Sequence, residues 1–150
     1  KGFDYLRGNT GTRVEFPMNL NNENWAVVYV TRYDPKGRDS DGRILAGGQN
    51  WLLGHWHGRA GISHQNGWLS HHDRDKIPQQ KSWIFGIEQP RVFIRRSNKH
   101  NWRRFGGGRN VGRDRIYINM GSGNGERADF NIAELCIFNV CCFEIKNASS

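Results

Sequence analysis

Residues 50–72, NWLLGHWHGRAGISHQNGWLSHH, contain three tryptophans and five histidines within 23 positions. Imidazole nitrogens are ligands for transition metals, whereas tryptophan offers a flat apolar face with a polar N–H at its edge. The stretch therefore allows either a metal site or a surface that binds a ligand such as a sugar. If it forms a strand, side-chain alternation places Trp51, Leu53, His55 and His57 on one face and Trp56 on the other.

His55 and His57 have the spacing of a His-x-His metal pair, and His64 on the next strand would be a third ligand. The positions after His57 read GRAGIS and contain no carboxylate, which weakens the hypothesis of a His-metal enzyme. We expect instead that Leu52 and Trp56 face the core and that the histidines lie on the solvated face of a sheet.

Residues 34–42, DPKGRDSDG, offer a second kind of metal ligand. Asp34, Asp39 and Asp41 provide carboxylate oxygens of the kind that calcium prefers, so calcium is the cofactor that this loop suggests. The alternative is an ordinary polar turn in which the Asp side chains bond to the backbone. Three cations crowd the same loop and favour that alternative: Lys36, Arg38 and Arg43.

Tryptophan also occurs close to cations in the segment VFIRRSNKHNWRRFGGG, residues 92–108. Rings of this kind stack on sugars, and guanidinium groups pair with sulfate or carboxylate. The predicted ligand-binding residues are Trp68, His71, His72, Arg95, Arg96, Trp102, Arg103 and Arg104. The alternative for the basic segment is a solvated hairpin, or a contact with an acidic neighbouring protein.

Hydrolysis of a glycan needs two carboxylates about 5 to 9 Å apart across a cleft. No alternating Glu/Asp motif such as ExDxE occurs in the sequence, and Glu88 and Glu134 stand alone in their strands. The sequence therefore predicts a protein that is not an enzyme.

Short apolar runs separated by Gly, Asn, Asp and Pro predict strands and turns, and no segment has sustained helical spacing of apolar residues. The predicted strands are 12–16, 25–32, 50–57, 59–64, 68–71, 82–87, 91–95, 115–119 and 132–140, and residues 103–110 are predicted to form a loop. This spacing predicts an all-β fold, a two-sheet antiparallel β-sandwich of the jelly-roll type, in a single domain spanning 1–150.

The formal net charge of +8 favours polyanionic partners, which include glycans or acidic polysaccharides and acidic neighbouring subunits. Nucleic acid is not favoured, because no helix-turn-helix, zinc-finger or RNP motif accompanies the charge. No apolar run approaches the roughly 18 residues of a spanning helix, so we expect no membrane span.

The three cysteines, Cys136, Cys141 and Cys142, are candidates for disulfides. An odd number in a secreted chain indicates an intermolecular bond or a free thiol. Asn147 begins an Asn-Ala-Ser sequon, which would be glycosylated only in a secreted chain. The chain begins at Lys1 without an apolar leader, which predicts a processed product or a fragment of a longer polypeptide.

Four motifs occur in a recognisable order: TRYD (31–34), GRIL (42–45), NWLLGHWHGRAGISHQNGWLS (50–70) and INMGSGNGERADFNIAELCIFN (118–139). Together they resemble the concanavalin A-like lectin/glucanase superfamily and, more closely, its laminin-G-like jelly rolls. The resemblance covers about residues 10–142. It implies an adhesion or glycan-binding module that acts outside the cell or at its surface.

We therefore expect a non-enzymatic, extracellular or cell-surface binding module that recognises glycans, in particular anionic ones. The alternative is a structural subunit or module of a larger extracellular assembly, in which the basic hairpin and Cys141 and Cys142 contact neighbouring chains. A His-metal enzyme built on a jelly roll is a third, weaker hypothesis.

Overall fold

The computed structural model describes residues 2–20, 24–39, 41–48, 50–70, 81–97, 100–108, 114–120 and 126–139. These residues form eleven strands and no helix, so the described part of the chain contains no helix that could span a membrane. The strands are β1 (Leu6–Gly8), β2 (Val14–Leu20), β3 (Trp25–Tyr33), β4 (Leu45–Gly47), β5 (Leu52–Trp56), β6 (Arg59–His64), β7 (Ile84–Gln89), β8 (Val92–Ser97), β9 (His100–Gly106), β10 (Asp114–Ile118) and β11 (Phe130–Asn139).

The strands form two sheets with a core between them. One sheet has six strands in the order β1-β11-β3-β7-β8-β9, and the other has five in the order β2-β10-β4-β5-β6. All pairings between these neighbours are antiparallel. The predicted all-β, two-sheet antiparallel β-sandwich is therefore confirmed.

Strand β9 differs from the sequence prediction, which placed a loop at 103–110. The strand pairs with β8 over most of its length, and Phe105 stacks on Phe93 at 5.8 Å between ring centroids. A cross-strand aromatic pair of this kind stabilises a strand, and cations on an edge strand discourage further pairing. Of the strand predicted at 68–71, the described residues 68–70 form only one isolated bridge, between His64 and Trp68, and residue 71 lies outside the described residues.

The core between the sheets is built mainly from aromatic and branched aliphatic side chains. Trp25 and Trp51 lie 4.6 Å apart between ring centroids and join the two sheets. The largest fully buried side chains are Trp25, Trp51, Tyr29, Tyr33, Phe93 and Phe130.

A buried carboxylate lies within this aromatic core. Glu88 on β7 is fully buried and accepts hydrogen bonds from Tyr29 Oη (3.1 Å), Trp51 Nε1 (3.1 Å) and Gln65 Nε2 (3.2 Å). Tyr29 lies in the six-stranded sheet, whereas Trp51 and Gln65 flank β5 and β6 of the other. Burial raises the pKa of Glu88 to about 7, although the three donors oppose that shift.

The ring of Tyr29 fits between two glycines, one from each sheet. A Cβ atom on Gly86 would lie 2.2 Å from Tyr29 Cζ, and one on Gly54 would lie 2.9 Å from Tyr29 Cε2. Gly54 also has a φ of 82°, a conformation that favours glycine. A side chain at either position would push the ring away from Glu88.

We therefore expect Gly86→Ala to lower the free energy of unfolding by about 1 to 3 kcal/mol, since overpacking forces a shift of the Tyr29 ring or of the backbone. Gly106→Ala in β9 is the matched control, because a Cβ there would meet nothing closer than 3.9 Å. Urea unfolding measures both variants, and equal effects of the two substitutions would contradict this account of the Tyr29 site.

Glu88 should also give the protein a characteristic pH dependence. Its folded-state pKa of about 7 lies above the ordinary value of 4.5, so between these values the folded chain keeps a proton that the unfolded chain has lost. The contribution of Glu88 to the free energy of unfolding therefore falls as pH rises through this range, by on the order of 3 kcal/mol.

The substitution Glu88→Gln removes this titration and nearly keeps the side-chain size. We expect the unfolding free energy of the wild type to decline relative to that of Glu88→Gln between about pH 4.5 and 7. Burial lowers the pKa of His55 to about 3, which gives the opposite slope, but His55 is present in both chains and cancels in the difference. Parallel stability curves from urea unfolding across this pH range would be incompatible with a titrating Glu88.

Candidate functional site

The tryptophan- and histidine-rich stretch forms β5, a tight turn, β6 and the turn that follows β6. Trp51, Leu53 and His55 are all 0% exposed and face the core, whereas Trp56 is half-buried on the outer side. The expectation that Trp56 faces the core and His55 faces solvent is therefore wrong. Alternation separates two faces but does not say which is inner, and here the contacts of Trp51 with Trp25 and Glu88 decide it.

The two histidines of the His-x-His motif lie in different environments. His55 is enclosed beside Thr31 and Tyr33, and burial lowers its pKa to about 3, so it is neutral. His57 lies in the turn after β5 with a φ of 48° and contacts Asp41 Oδ1 through Nδ1 at 3.0 Å. Among the described residues, no group of three or more His, Cys, Asp or Glu is arranged to hold a metal ion.

A cluster of rings lies on the outer side of the five-stranded sheet, at its β5–β6 edge. The ring centroid of Trp68 lies 5.5 Å from that of Trp56 and 4.8 Å from that of His64, and His57 lies 4.2 Å from Trp56. Trp68 is 42% exposed. We call Trp56, His57, His64 and Trp68 the aromatic surface.

Polar contacts hold this aromatic surface in place. Trp56 Nε1 donates to Glu126 Oε1 at 3.2 Å, and the second oxygen of Glu126 pairs with Arg43 Nε at 2.6 Å. Arg43 also donates to Asn50 Oδ1 at 2.8 Å. The Asn50 main-chain oxygen lies 2.8 Å from His64 Nδ1, so a single chain of contacts runs from Trp56 to His64.

The protonation state of His64 follows from this contact. Burial lowers the pKa of His64, so the ring is neutral near pH 7. Because a carbonyl oxygen only accepts, Nδ1 carries the proton in its contact with Asn50. Nε2 of His64 is therefore a hydrogen-bond acceptor beside the exposed ring of Trp68.

The predicted basic residues lie on both faces of the six-stranded sheet. Arg95 is 4% exposed, donates to the Gly61 carbonyl and lies over the ring of Phe105, so its role is in packing. Arg103 pairs with Arg95 across β8 and β9 and shares its face. Arg96 and Arg104 are exposed on the opposite face. His71, His72 and the side chain of Trp102 lie outside the described residues.

The Asp-rich loop is held by contacts of its own. Asp34 accepts from Arg7 Nε at 2.6 Å and from the Lys36 main-chain N–H at 3.0 Å, and Asp39 accepts from the Asp41 N–H at 3.0 Å. Sequence reasoning missed Asp129, which accepts from the main-chain N–H groups of Thr10, Arg38 and Asp39. These bonds are those of a polar turn, with Asp carboxylates bonded to the backbone.

The remaining predicted sites concern cysteine and glycosylation. Cys136 forms no disulfide within the described part of the chain, and its thiol donates to Glu134 Oε1 at 3.1 Å. Cys141, Cys142 and Asn147 lie outside the described residues.

Comparisons of the chain with family models, with curated proteins and with solved structures found no match. The laminin-G-like resemblance therefore depends on the order of sequence motifs alone, and a function has to be argued from the geometry of the aromatic surface.

Proposed function

We propose that this protein is a non-enzymatic, extracellular or cell-surface module of the laminin-G-like kind that binds glycans on its aromatic surface. The observation that carries the proposal is the position of Trp68, which stands 42% exposed against two other rings. Clustered exposed rings with polar groups at their margin are typical of a recognition surface. The motif resemblance supports a location outside the cell, where the sequon at Asn147 would be open to glycosylation.

The chemistry of the aromatic surface suits a sugar. An indole face packs against the C–H face of a pyranose, and the edge of the sugar then needs hydrogen-bond partners for its hydroxyl groups. His64 Nε2 offers an acceptor next to Trp68, and Asn50 has an exposed side chain at the same margin. Groups held in place in this way lose little side-chain entropy when a ligand binds.

Positive charge favours an acidic sugar over a neutral one. Arg59 is opposite Trp56 in the β5–β6 register and therefore lies on the same face. The end of β9 borders the surface, since a Cβ on Gly107 would lie 3.7 Å from the Trp68 carbonyl oxygen. With a net charge of +8 over the chain, sulfate or carboxylate groups on the sugar would be attracted to the protein, and Arg59 is the cation that the register places on this face.

Binding is favoured over hydrolysis by the state of the nearby acidic groups. Glu126 pairs with Arg43, and Asp41 contacts His57. Their polar partners hold both carboxylates within the framework of the surface, whereas a glycosidase needs one to act as an acid and the other as a base or nucleophile.

We expect Trp68→Ala to weaken binding of sulfated or carboxylated polysaccharides at least about tenfold, because it removes the central exposed ring. Trp83→Ala is the matched control, since Trp83 stacks on Arg32 in the other half of the sandwich and should leave the affinity unchanged. The measurement is titration calorimetry on a panel of neutral and acidic polysaccharides at several salt concentrations, with and without EDTA.

Two results would contradict this proposal. One is an affinity that falls with rising salt concentration to the same extent for every acidic polysaccharide, since the net charge of the chain alone would explain such binding. The other is an equal affinity of Trp68→Ala and the wild type for a polysaccharide that binds saturably.

A further inference from the structure

The outer face of the six-stranded sheet is unusually apolar. A solvated sheet face normally carries polar side chains, yet the side chains that point away from the core on β3, β7, β8 and β11 are mostly apolar and partly exposed. The apolar ones include Val28, Val30, Phe85, Ile87, Ile94, Cys136 and Phe138, of which Phe138 is 47% exposed. The polar ones on the same face are Arg32, Gln89, Arg96, Asn131 and Glu134. An apolar patch bordered by charge is the signature of a protein contact.

The strand register gives this outer face an ordered charge pattern. One row across the sheet reads Glu134, Val30, Phe85 and Arg96, on β11, β3, β7 and β8 in turn. The row therefore has a carboxylate at one end, a guanidinium at the other and two apolar side chains between them.

The neighbouring row is apolar over the same four strands. It reads Cys136, Val28, Ile87 and Ile94, and Arg104 follows on β9. Positive charge is thus concentrated on the β8–β9 side of the outer face in both rows, and Glu134 supplies the negative charge on the β11 side.

We propose that a second copy of this chain packs face to face on the outer face of the six-stranded sheet. A two-fold axis parallel to the strands, between β3 and β7, exchanges the two sides of each row. It places Glu134 of one copy opposite Arg96 of the other, and Val30 opposite Phe85. The same rotation places Val28 opposite Ile87 and Cys136 opposite Ile94.

A self-complementary row is the property that a two-fold interface requires, because the same surface has to serve both partners. A partner of a different sequence would not need opposite charges at the two ends of one row. The charge pattern therefore favours a second copy over an unrelated protein.

The area of the face is adequate for such a contact. Six strands at about 4.8 Å spacing span about 24 Å, and the nine residues of β3 extend about 30 Å. The product, about 700 Å², is close to the roughly 800 Å² per partner of a standard interface.

Aromatic side chains extend the face at one end of the sheet. Phe3 and Tyr5 pack on Trp83, with 5.3 and 5.8 Å between ring centroids, and Phe3 is 59% exposed. A cavity of about 640 Å³ opens beside them, with Phe85 and Arg96 in its lining. The exposed ring of Phe3 would add apolar contact area to the interface at the end where Arg96 meets Glu134.

Such a dimer would turn the aromatic surfaces of both copies outward, since each belongs to the sheet on the far side of its own sandwich. A polymeric glycan could then engage two surfaces, which raises avidity without any new contact. The dimer itself does not depend on glycan binding, so the two proposals can fail separately.

Sedimentation velocity over a wide concentration range tests the interface with a charge exchange. Glu134→Arg and Arg96→Glu should each weaken dimerisation at least about tenfold, because like charges would face each other, and the double variant should recover most of the loss. The control is Arg13→Glu, which makes the same charge change as Arg96→Glu. Arg13 is exposed and lies just before β2 of the other sheet, so this substitution should leave dimerisation unchanged.

A cysteine trap tests the geometry of the contact. In a chain that carries Cys141→Ser and Cys142→Ser, a short bis-maleimide should link Ile94→Cys to Cys136 of the second copy, because facing sheets lie about 10 Å apart, which is too far for a direct disulfide. A link between these two positions within one copy, which are three strands or about 14 Å apart, would leave a monomer on the gel. Cys136→Ser in the same background should abolish the linked species.

The proposal is overturned if the wild-type chain stays monomeric at all concentrations, which would leave the outer face to a different partner. It is also overturned if the wild-type chain dimerises, both charge reversals leave the dimerisation affinity unchanged, and the Ile94→Cys chain gives no dimer linked through Cys136 on a denaturing gel.

Discussion

The hydrogen bonds to the buried carboxylate of Glu88 hold the two sheets in register and fix the turn that presents Trp68. Gln65 donates to Glu88 and to the Gln89 carbonyl, and accepts from the Arg91 N–H. Two main-chain hydrogen bonds close the turn that follows β6. They run from the Gln65 N–H to the Gly67 carbonyl and from the Leu69 N–H to the Ser63 carbonyl. Because a buried carboxylate is tolerated only when donors surround it, this arrangement constrains the core and the turn together.

The two outer faces of the sandwich differ in the chemistry of the side chains that they present. The five-stranded sheet presents rings supported by a polar framework around Arg43 and Glu126, which suits a hydrophilic ligand with a flat apolar face. The six-stranded sheet presents aliphatic and aromatic side chains with charges at the ends of a row, which suits a folded protein surface. The inner faces of both sheets are buried in the core, where aromatic side chains surround Glu88.

Much of the fold could be predicted from sequence, because period-two alternation and turn residues locate strands such as β3 and β6 well. The orientation of β5 could not, since rings occur on both of its faces and only the contacts of Trp51 decide which is inner. Strand β9 could not be predicted, because its arginines and glycines are typical of a loop and the packing of Phe105 on Phe93 is visible only in the structure. Trp56 and Glu126 are 70 positions apart, and no local pattern predicts that they meet.

The central claim, that a glycan binds on the aromatic surface, is tested most directly by the indole N–H signals of the six tryptophans in a ¹H–¹⁵N spectrum. Titration with a sulfated oligosaccharide should shift the signals of Trp56 and Trp68. The signals of Trp25 and Trp51, which lie in the core, should stay in place. Shifts confined to Trp83, or a spectrum that the sugar leaves unchanged at saturating concentration, would contradict the account.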